Sequence, residues 1–326
     1  MVRCNYPIFF ILFIFLVSSC GVDIKKKEDI SENAPEISVL NERIKNDPNQ
    51  AELYHQRAKY YLEKKDFSSA QNDMVRALAL DSNNAGYYLT LSDIYFAANK
   101  TGKAKESLEK SIGLDEKNID ALLKLAELYF YVQKNQSSIE FIDKVLLLDQ
   151  YNSKAYFLKG MNFKETGDTT KAISSMQTAV EQDPEYYSAY IQLGILYASQ
   201  KNNLALDYYN NALRINSGSI EAYYNKGKFY QDLHQWDKAI ATYEELLLVD
   251  ADYKFALYNL GIIYLVHFKK NDKALQYFDR AIIADPEYSQ AYYARGVCYE
   301  TIGNNIKASE DIKMAKKINP SLQIIN

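Results

Sequence analysis

Residues 220–253 read IEAYYNKGKFYQDLHQWDKAIATYEELLLVDADY, and their spacing decides the architecture. Tyr223, Gly227 and Tyr230 stand at i, i+4 and i+7. After a short polar break, Ala239, Tyr243 and Leu246 repeat the interval. Small or apolar residues at these offsets share one side of a 3.6-residue helix, so each half predicts an amphipathic helix of about three turns.

Working outward, the unit recurs with a period of about 34 residues. The ranges are 51–84, 85–118, 119–152, 153–186, 187–219, 220–253, 254–288 and 289–322. The fifth is one residue short and the seventh one long, and both changes fall between the two helices, near residues 202–204 and 269–272. An exposed turn absorbs such a change without shifting a packed face.

The eighth position of each first helix is Ala58, Ser92, Ala126, Gly160, Gly194, Gly227, Gly261 or Gly296. A larger side chain there would wedge the paired helices apart. Three residues on stands an aromatic in every copy: Tyr61, Tyr95, Tyr129, Phe163, Tyr197, Tyr230, Tyr264 and Tyr299. An alanine opens the packed stripe of each second helix (Ala70, Ala104, Ala172, Ala205, Ala239, Ala274 and Ala308), with Ser138 as the exception. Pro184, Pro286 and Pro320 end second helices behind Asp or Asn. This pattern resembles the tetratricopeptide repeat family over most of the chain. The resemblance implies an all-α, right-handed α-solenoid of about eight helix-turn-helix repeats.

The flanks divide into segments of different character. Residues 1–20, MVRCNYPIFFILFIFLVSSC, place Arg3 before an apolar run and a small polar pair, the layout of a secretory signal. The apolar run spans about half of a bilayer core as a helix. Val17-Ser18-Ser19-Cys20 resembles the lipobox of bacterial lipoproteins, which implies removal of residues 1–19 and acylation of Cys20. Gly21, rather than Asp, after the cysteine resembles an outer-membrane address. Residues 20–35 are polar and lack a hydrophobic period, and so read as a flexible tether. Residues 36–50 contain ISVLNERIKNDPN, a lone helix expected to cap the first repeat, and 323–326 form a short tail.

Composition narrows the function. The 326 residues are 48% hydrophobic and 25% charged with net charge −4, the balance of a folded protein with no basic nucleic-acid footprint. No metal site and no cofactor site is expected. His55, His234 and His267 lie in separate repeats without a second histidine at i+3 or i+4, and no glycine-rich phosphate loop is present. Cys298 has no histidine placed to activate it and reads as a structural thiol, so the chain is not expected to be an enzyme. Trp236 occupies the slot in the helix–helix turn that Phe67 fills in the first repeat, a packing position.

What remains is a surface. The family lines its concave groove from the first helix of each repeat, and this resemblance implies a partner-binding face built by Leu123, Phe157, Ile191, Ile195, Tyr224, Asn225, Lys228, Tyr258, Asn259, Ile262 and Tyr293. A carboxylate clamp like the family's best-defined peptide site is incomplete. Lys228 and Asn259 approach it, but the next repeat offers Gln290 and Ala294. The expectation is a membrane-anchored interaction scaffold of the bacterial cell envelope that binds a partner protein or peptide in the groove. The alternative is an assembly factor for an envelope machine, pilotin-like or an adaptor for peptidoglycan hydrolases. A glycan- or small-molecule-binding component is the remote third reading.

Overall fold

The computed structural model describes residues 37–322, within two compact units, Met1–Pro48 and Asn49–Asn326. The signal segment, Cys20, the tether and the tail lie outside the described residues. In the first unit, α1 (Ile37–Asn46) carries Arg43 and Lys45 in its last turn, where positive charge suits the helix dipole. It ends ahead of Pro48.

The second unit holds sixteen helices in eight antiparallel pairs, and the described residues contain no strand. In chain order these are α2 (Ala51–Glu63) and α3 (Phe67–Leu80), α4 (Ala85–Ala97) and α5 (Thr101–Leu114), α6 (Ile119–Tyr131) and α7 (Asn135–Leu148), α8 (Ser153–Glu165) and α9 (Thr169–Gln182). They continue as α10 (Tyr187–Ser199) and α11 (Leu204–Ile215), α12 (Ile220–Asp232) and α13 (Trp236–Val249), α14 (Lys254–Val266) and α15 (Asn271–Ala284), α16 (Ser289–Thr301) and α17 (Asn305–Ile318). The even-numbered member of each pair is called helix A below and the odd-numbered one helix B. Each B packs on its own A and on the next A, and A helices of neighbouring repeats also meet, as α6 does α8. The unit is an all-α tetratricopeptide-type solenoid.

One backbone solution turns every A into its B. In all eight turns a single residue takes left-handed φ: Lys65, Asn99, Gln133, Gly167, Lys201, His234, Lys269 and Gly303. The following N–H donates back to the carbonyl of the helix A aromatic, for example Asp66 to Tyr61 at 2.9 Å and Gln235 to Tyr230 at 2.9 Å. These are Schellman closures, which satisfy orphan carbonyls at the helix end. In the seventh repeat the extra residue lies earlier than the sequence placed it. His267 keeps helical φ and ψ, the left-handed residue is Lys269, and Lys270 reaches back to Tyr264 across one more residue than elsewhere. Helix A absorbs the insertion at its own end, and helix B starts undisturbed.

The opposite connections are equally regular. Asp81, Asp115, Asp149, Asp183, Asn216, Asp250, Asp285 and Asn319 each accept from the backbone N–H two residues on, at 2.9–3.1 Å. A short acceptor side chain here closes an Asx-turn, which explains Asp or Asn in every copy even where no proline follows.

Packing between A and B obeys a size rule. The eighth residue of helix A faces the residue four past the first small residue of helix B's packed stripe. Met74, Leu108, Ile142, Met176, Tyr209, Tyr243, Phe278 and Ile312 recur there at the repeat interval. Where that side chain is aromatic, the A residue is glycine. A Cβ on Gly227 would come within 2.6 Å of Tyr243 Cε1, and one on Gly194 within 2.7 Å of Tyr209 Cδ1. Tyr209, Tyr243 and Phe278 are among the largest fully buried side chains, each contributing roughly 1.5–3 kcal/mol of apolar burial.

Candidate functional site

The resemblance assigns the concave face to helix A, whose side chains meet two competing demands: to close the seam with the neighbouring helices, and to present a surface. Leu123 (7% exposed) and Ile191 (1% exposed) serve the first, lying in apolar clusters with Leu122 and Ile142, and with Tyr190 and Tyr209. The structure therefore removes these two from the accessible groove. Their aliphatic side chains are short enough to be covered where neighbouring A helices meet.

The remaining expected residues stay in reach of solvent. Phe157, Ile195, Asn225, Ile262 and Tyr293 are half-buried, and Lys228 is exposed. Tyr224 and Tyr258 belong to one continuous aromatic shelf. The Tyr224 ring lies 5.7 Å from Tyr253 and 6.2 Å from Phe255, which lies 5.7 Å from Tyr288, itself 5.4 Å from Tyr258. Edge and tilted contacts of this kind suit ring quadrupoles. Asn259 is committed within the fold: its Nδ2 donates to the Tyr243 oxygen at 3.2 Å, while Tyr243 O–H donates to Gln231 Oε1 at 2.7 Å. With its amide so engaged, Asn259 does not serve the clamp that Lys228 suggested.

Burial drives the phenol chemistry of the shelf. It pushes Tyr253 up to about 12 and Tyr288 and Tyr243 higher, with neighbouring phenols adding to the effect. All of them remain protonated hydrogen-bond donors at neutral pH.

Sequence reasoning did not single out three charged side chains on the A helices of repeats three, four and six. Lys164, near the end of α8, donates to Gln192 Oε1 on α10 at 2.7 Å, and burial lowers its pKa against the pull of Glu165 and Glu221. Glu221, in the first turn of α12, forms no hydrogen bond or ion pair. Burial raises its pKa against Lys164. Glu127 on α6 is raised for the same first reason, with Lys124 and Lys154 opposing. Both carboxylates are exposed, and the surrounding helices take only part of their hydration. Lys164 closes the apolar side of an otherwise ordinary helix end, and only the neighbouring repeats reveal what faces it.

Elsewhere the chemistry is structural. Cys298 is fully buried, its thiol pushed up to about 11 by burial, with Asp272 adding to the shift. Its sulfur sits 3.6 Å from the Asn271 carbonyl. A thiol so placed is a poor nucleophile. His55 is held between repeats, Nε2 at 2.8 Å from Thr90 Oγ1 and Nδ1 at 3.3 Å from Glu52. Trp236 stacks on His267 at 3.6 Å. Among the described residues no group of three His, Cys, Asp or Glu could hold a metal, and no helix is long and apolar enough to cross a membrane. Two open hollows, about 480 and 250 Å³, lie away from the groove, the first lined by Lys269, Lys270, Asn271, Asp272, Lys273 and Ile302.

The helix pairs, their turns and the size rule between them define a helical repeat protein, and comparison with known proteins gives the family. Models described as tetratricopeptide repeat match residues 51–84, 85–118 and 153–186, and 224–289 and 269–321. The chain belongs to the tetratricopeptide repeat family. It is 31% identical over 104 residues to a UDP-N-acetylglucosamine–peptide N-acetylglucosaminyltransferase of Giardia intestinalis, a match covering 32% of this chain and 7% of that protein. The first curated relatives are matched over only 7% to 22% of their own length. Among solved structures, YrrB, described as a protein of this family with an unusual peptide-binding site, superposes with TM-score 0.50 at 24% identity, over 59% of this chain and 98% of its own. A tetratricopeptide repeat protein from Parabacteroides merdae gives TM-score 0.53 at 18% identity, over 72% and 93%. At these identities the two structures speak for the fold.

Proposed function

We propose that the chain is a lipid-anchored scaffold of the bacterial cell envelope, held at the outer membrane through Cys20, whose concave face grips an extended segment of a partner protein. The observation that carries the groove reading is the pair Lys164 and Glu221. They are opposite charges on α8 and α12, with α10 between them; burial lowers the pKa of the first and raises that of the second, and neither is in contact with the other. An extended backbone offers the ammonium a second acceptor in a carbonyl, beside Gln192, and offers the carboxylate an N–H donor. The aromatic shelf supplies apolar contact for the segment's side chains. Members of this family mediate protein–protein interaction, which supports the same reading.

The test is co-purification from membranes with the full chain and its Lys164→Ala, Glu221→Ala, Phe157→Glu, Tyr224→Glu and Tyr258→Glu variants, each checked for wild-type helicity. Loss of the wild-type partner set is expected for the folded variants. Unchanged partners in all five would sink the groove reading. Anchoring is tested separately by palmitate labelling, which should disappear in Cys20→Ala and whose absence from the wild type would refute the lipid attachment.

A further inference from the structure

The two edges of the solenoid carry opposite charge. Helices A and B are about 20 Å long, so their A–B turns and B–A loops lie on opposite sides of the stack. From the last residue of A to the third of B, the eight turns hold twelve lysines against seven acids. Over the mirrored stretch, from the last residue of B to the third of the next A, the seven loops hold twelve acids against three lysines.

Packing orders the lysine edge. Lys103, Lys171, Lys238, Lys273 and Lys307 share one position in the first turn of B, and each ammonium sits 4.9–5.6 Å from the centre of its own repeat's helix A aromatic. The rings hold the stems against the fold while the side chains stay exposed. The Asx-turns order the opposite edge: each fixes one acid or amide per loop, and further exposed acids such as Glu116, Asp252 and Glu287 follow it.

We infer that the lysine edge is a docking surface for the acidic edge of a second copy of this chain. Charge complementarity supplies the attraction, and spacing selects the partner. A row of cations at the repeat's own pitch is matched along its length by a row of anions at that pitch, and the other edge of the same chain provides it. A lipid surface or a flexible acidic segment shares the charge but not the spacing. The contact is heterologous, since each copy offers one edge of each sign. Association therefore continues from copy to copy instead of closing as a twofold dimer. Exposed ion pairs are weak and screened, so the assembly belongs to low ionic strength. The groove takes no part, and the inference stands or falls independently of the partner-binding reading.

Sedimentation velocity on the full chain tests it. At about 20 mM salt the weight-average mass should rise with concentration above the 37.5 kDa monomer, and at about 500 mM it should return to the monomer. Association through apolar surface would respond to salt in the opposite sense. The variant carrying Lys103→Glu, Lys238→Glu and Lys273→Glu should stay monomeric at both salts, as should one carrying Glu116→Lys, Asp252→Lys and Glu287→Lys. An equimolar mixture of the two should associate at low salt. All six positions are exposed, and far-UV circular dichroism confirms that both variants remain folded. A wild type that stays monomeric at low salt overturns the inference, as does a mixture that fails to associate. So would a monomeric chain that instead binds phosphatidylglycerol vesicles through these lysines.

Discussion

Replacing Gly261 by alanine puts the size rule to a quantitative test. The added Cβ would lie 2.6 Å from Cδ1 and 2.9 Å from Cζ of Phe278, with Cε1 closer still. All three atoms belong to one flat, fully buried ring with no free end to swing away. Overpacking costs about 1–3 kcal/mol, and a buried flat ring with no free end puts this site in the upper half, about 2–3 kcal/mol, while alanine in place of glycine inside a helix returns about 1 kcal/mol. The expected net loss is about 1–2 kcal/mol. Phe278→Leu alone should also destabilise, by leaving a void. Combined, the two changes place an alanine opposite a branched aliphatic side chain, much as Ala126 packs with Ile142, and each should relieve the other by at least about 1 kcal/mol. Urea unfolding followed by circular dichroism gives the stabilities. Hydrogen exchange in α14 and α15 shows whether the loss is local, because a repeat array need not unfold as one unit. A neutral or stabilising Gly261→Ala, or effects that add within about 0.5 kcal/mol, would refute the reasoning.

Three further predictions follow from the turns and the titrating groups. Gln133→Gly removes a side chain from left-handed backbone and should raise stability by about 0.5–1 kcal/mol, whereas Gly167→Ala should lower it by about 1 kcal/mol; a shift of urea midpoint in the wrong direction for either refutes the strain argument. His55 has its pKa lowered, first by burial and then by Lys59, so its contribution is present above the unfolded value of 6.5 and is lost as pH falls through the folded value. The wild type should lose stability on acidification below about pH 6.5 more steeply than His55→Gln, and parallel curves would contradict this. Glu127 is shifted the other way. Its folded pKa lies above the unfolded 4.5, so the contribution is present below that value and is lost as pH rises through the folded pKa. Glu127→Gln should therefore stabilise at neutral pH with the gain vanishing near pH 4, and a gain that persists in acid would point to another cause.

How much of this was legible in the sequence depends on which surface a residue meets. Contacts within one repeat are local and recur, so the glycine at 227, the aromatic at 230 and the alanine at 239 announce their helix pair unaided. Contacts between repeats are different. Periodicity shows that helix A is apolar on more than one side. It does not show which side chain the next A helix covers, which is why Leu123 and Ile191 read as groove wall and lie in the core. The converse error hid Lys164 and Glu221. Each looks like a solvated charge on its own helix, and the partial loss of hydration, like the Lys164–Gln192 contact, arises only from the neighbouring repeats. Left-handed turns were hidden too, because six of the eight residues that adopt them are not glycine.

The pairing of glycine with an aromatic across each helix pair also bears on how such a chain can change its length over generations. Unequal exchange within the gene at an A–B turn would splice helix A of one repeat to helix B of another, and the left-handed closure common to the turns accommodates such joints. The core does not. Repeats five, six and seven carry Gly194, Gly227 and Gly261 opposite Tyr209, Tyr243 and Phe278, so their halves are interchangeable. Joining α6, with Ala126, to α13, with Tyr243, would place a methyl inside a ring. The array thus contains a reading frame written in side-chain volume, within which some duplications are silent and others are fatal to the fold.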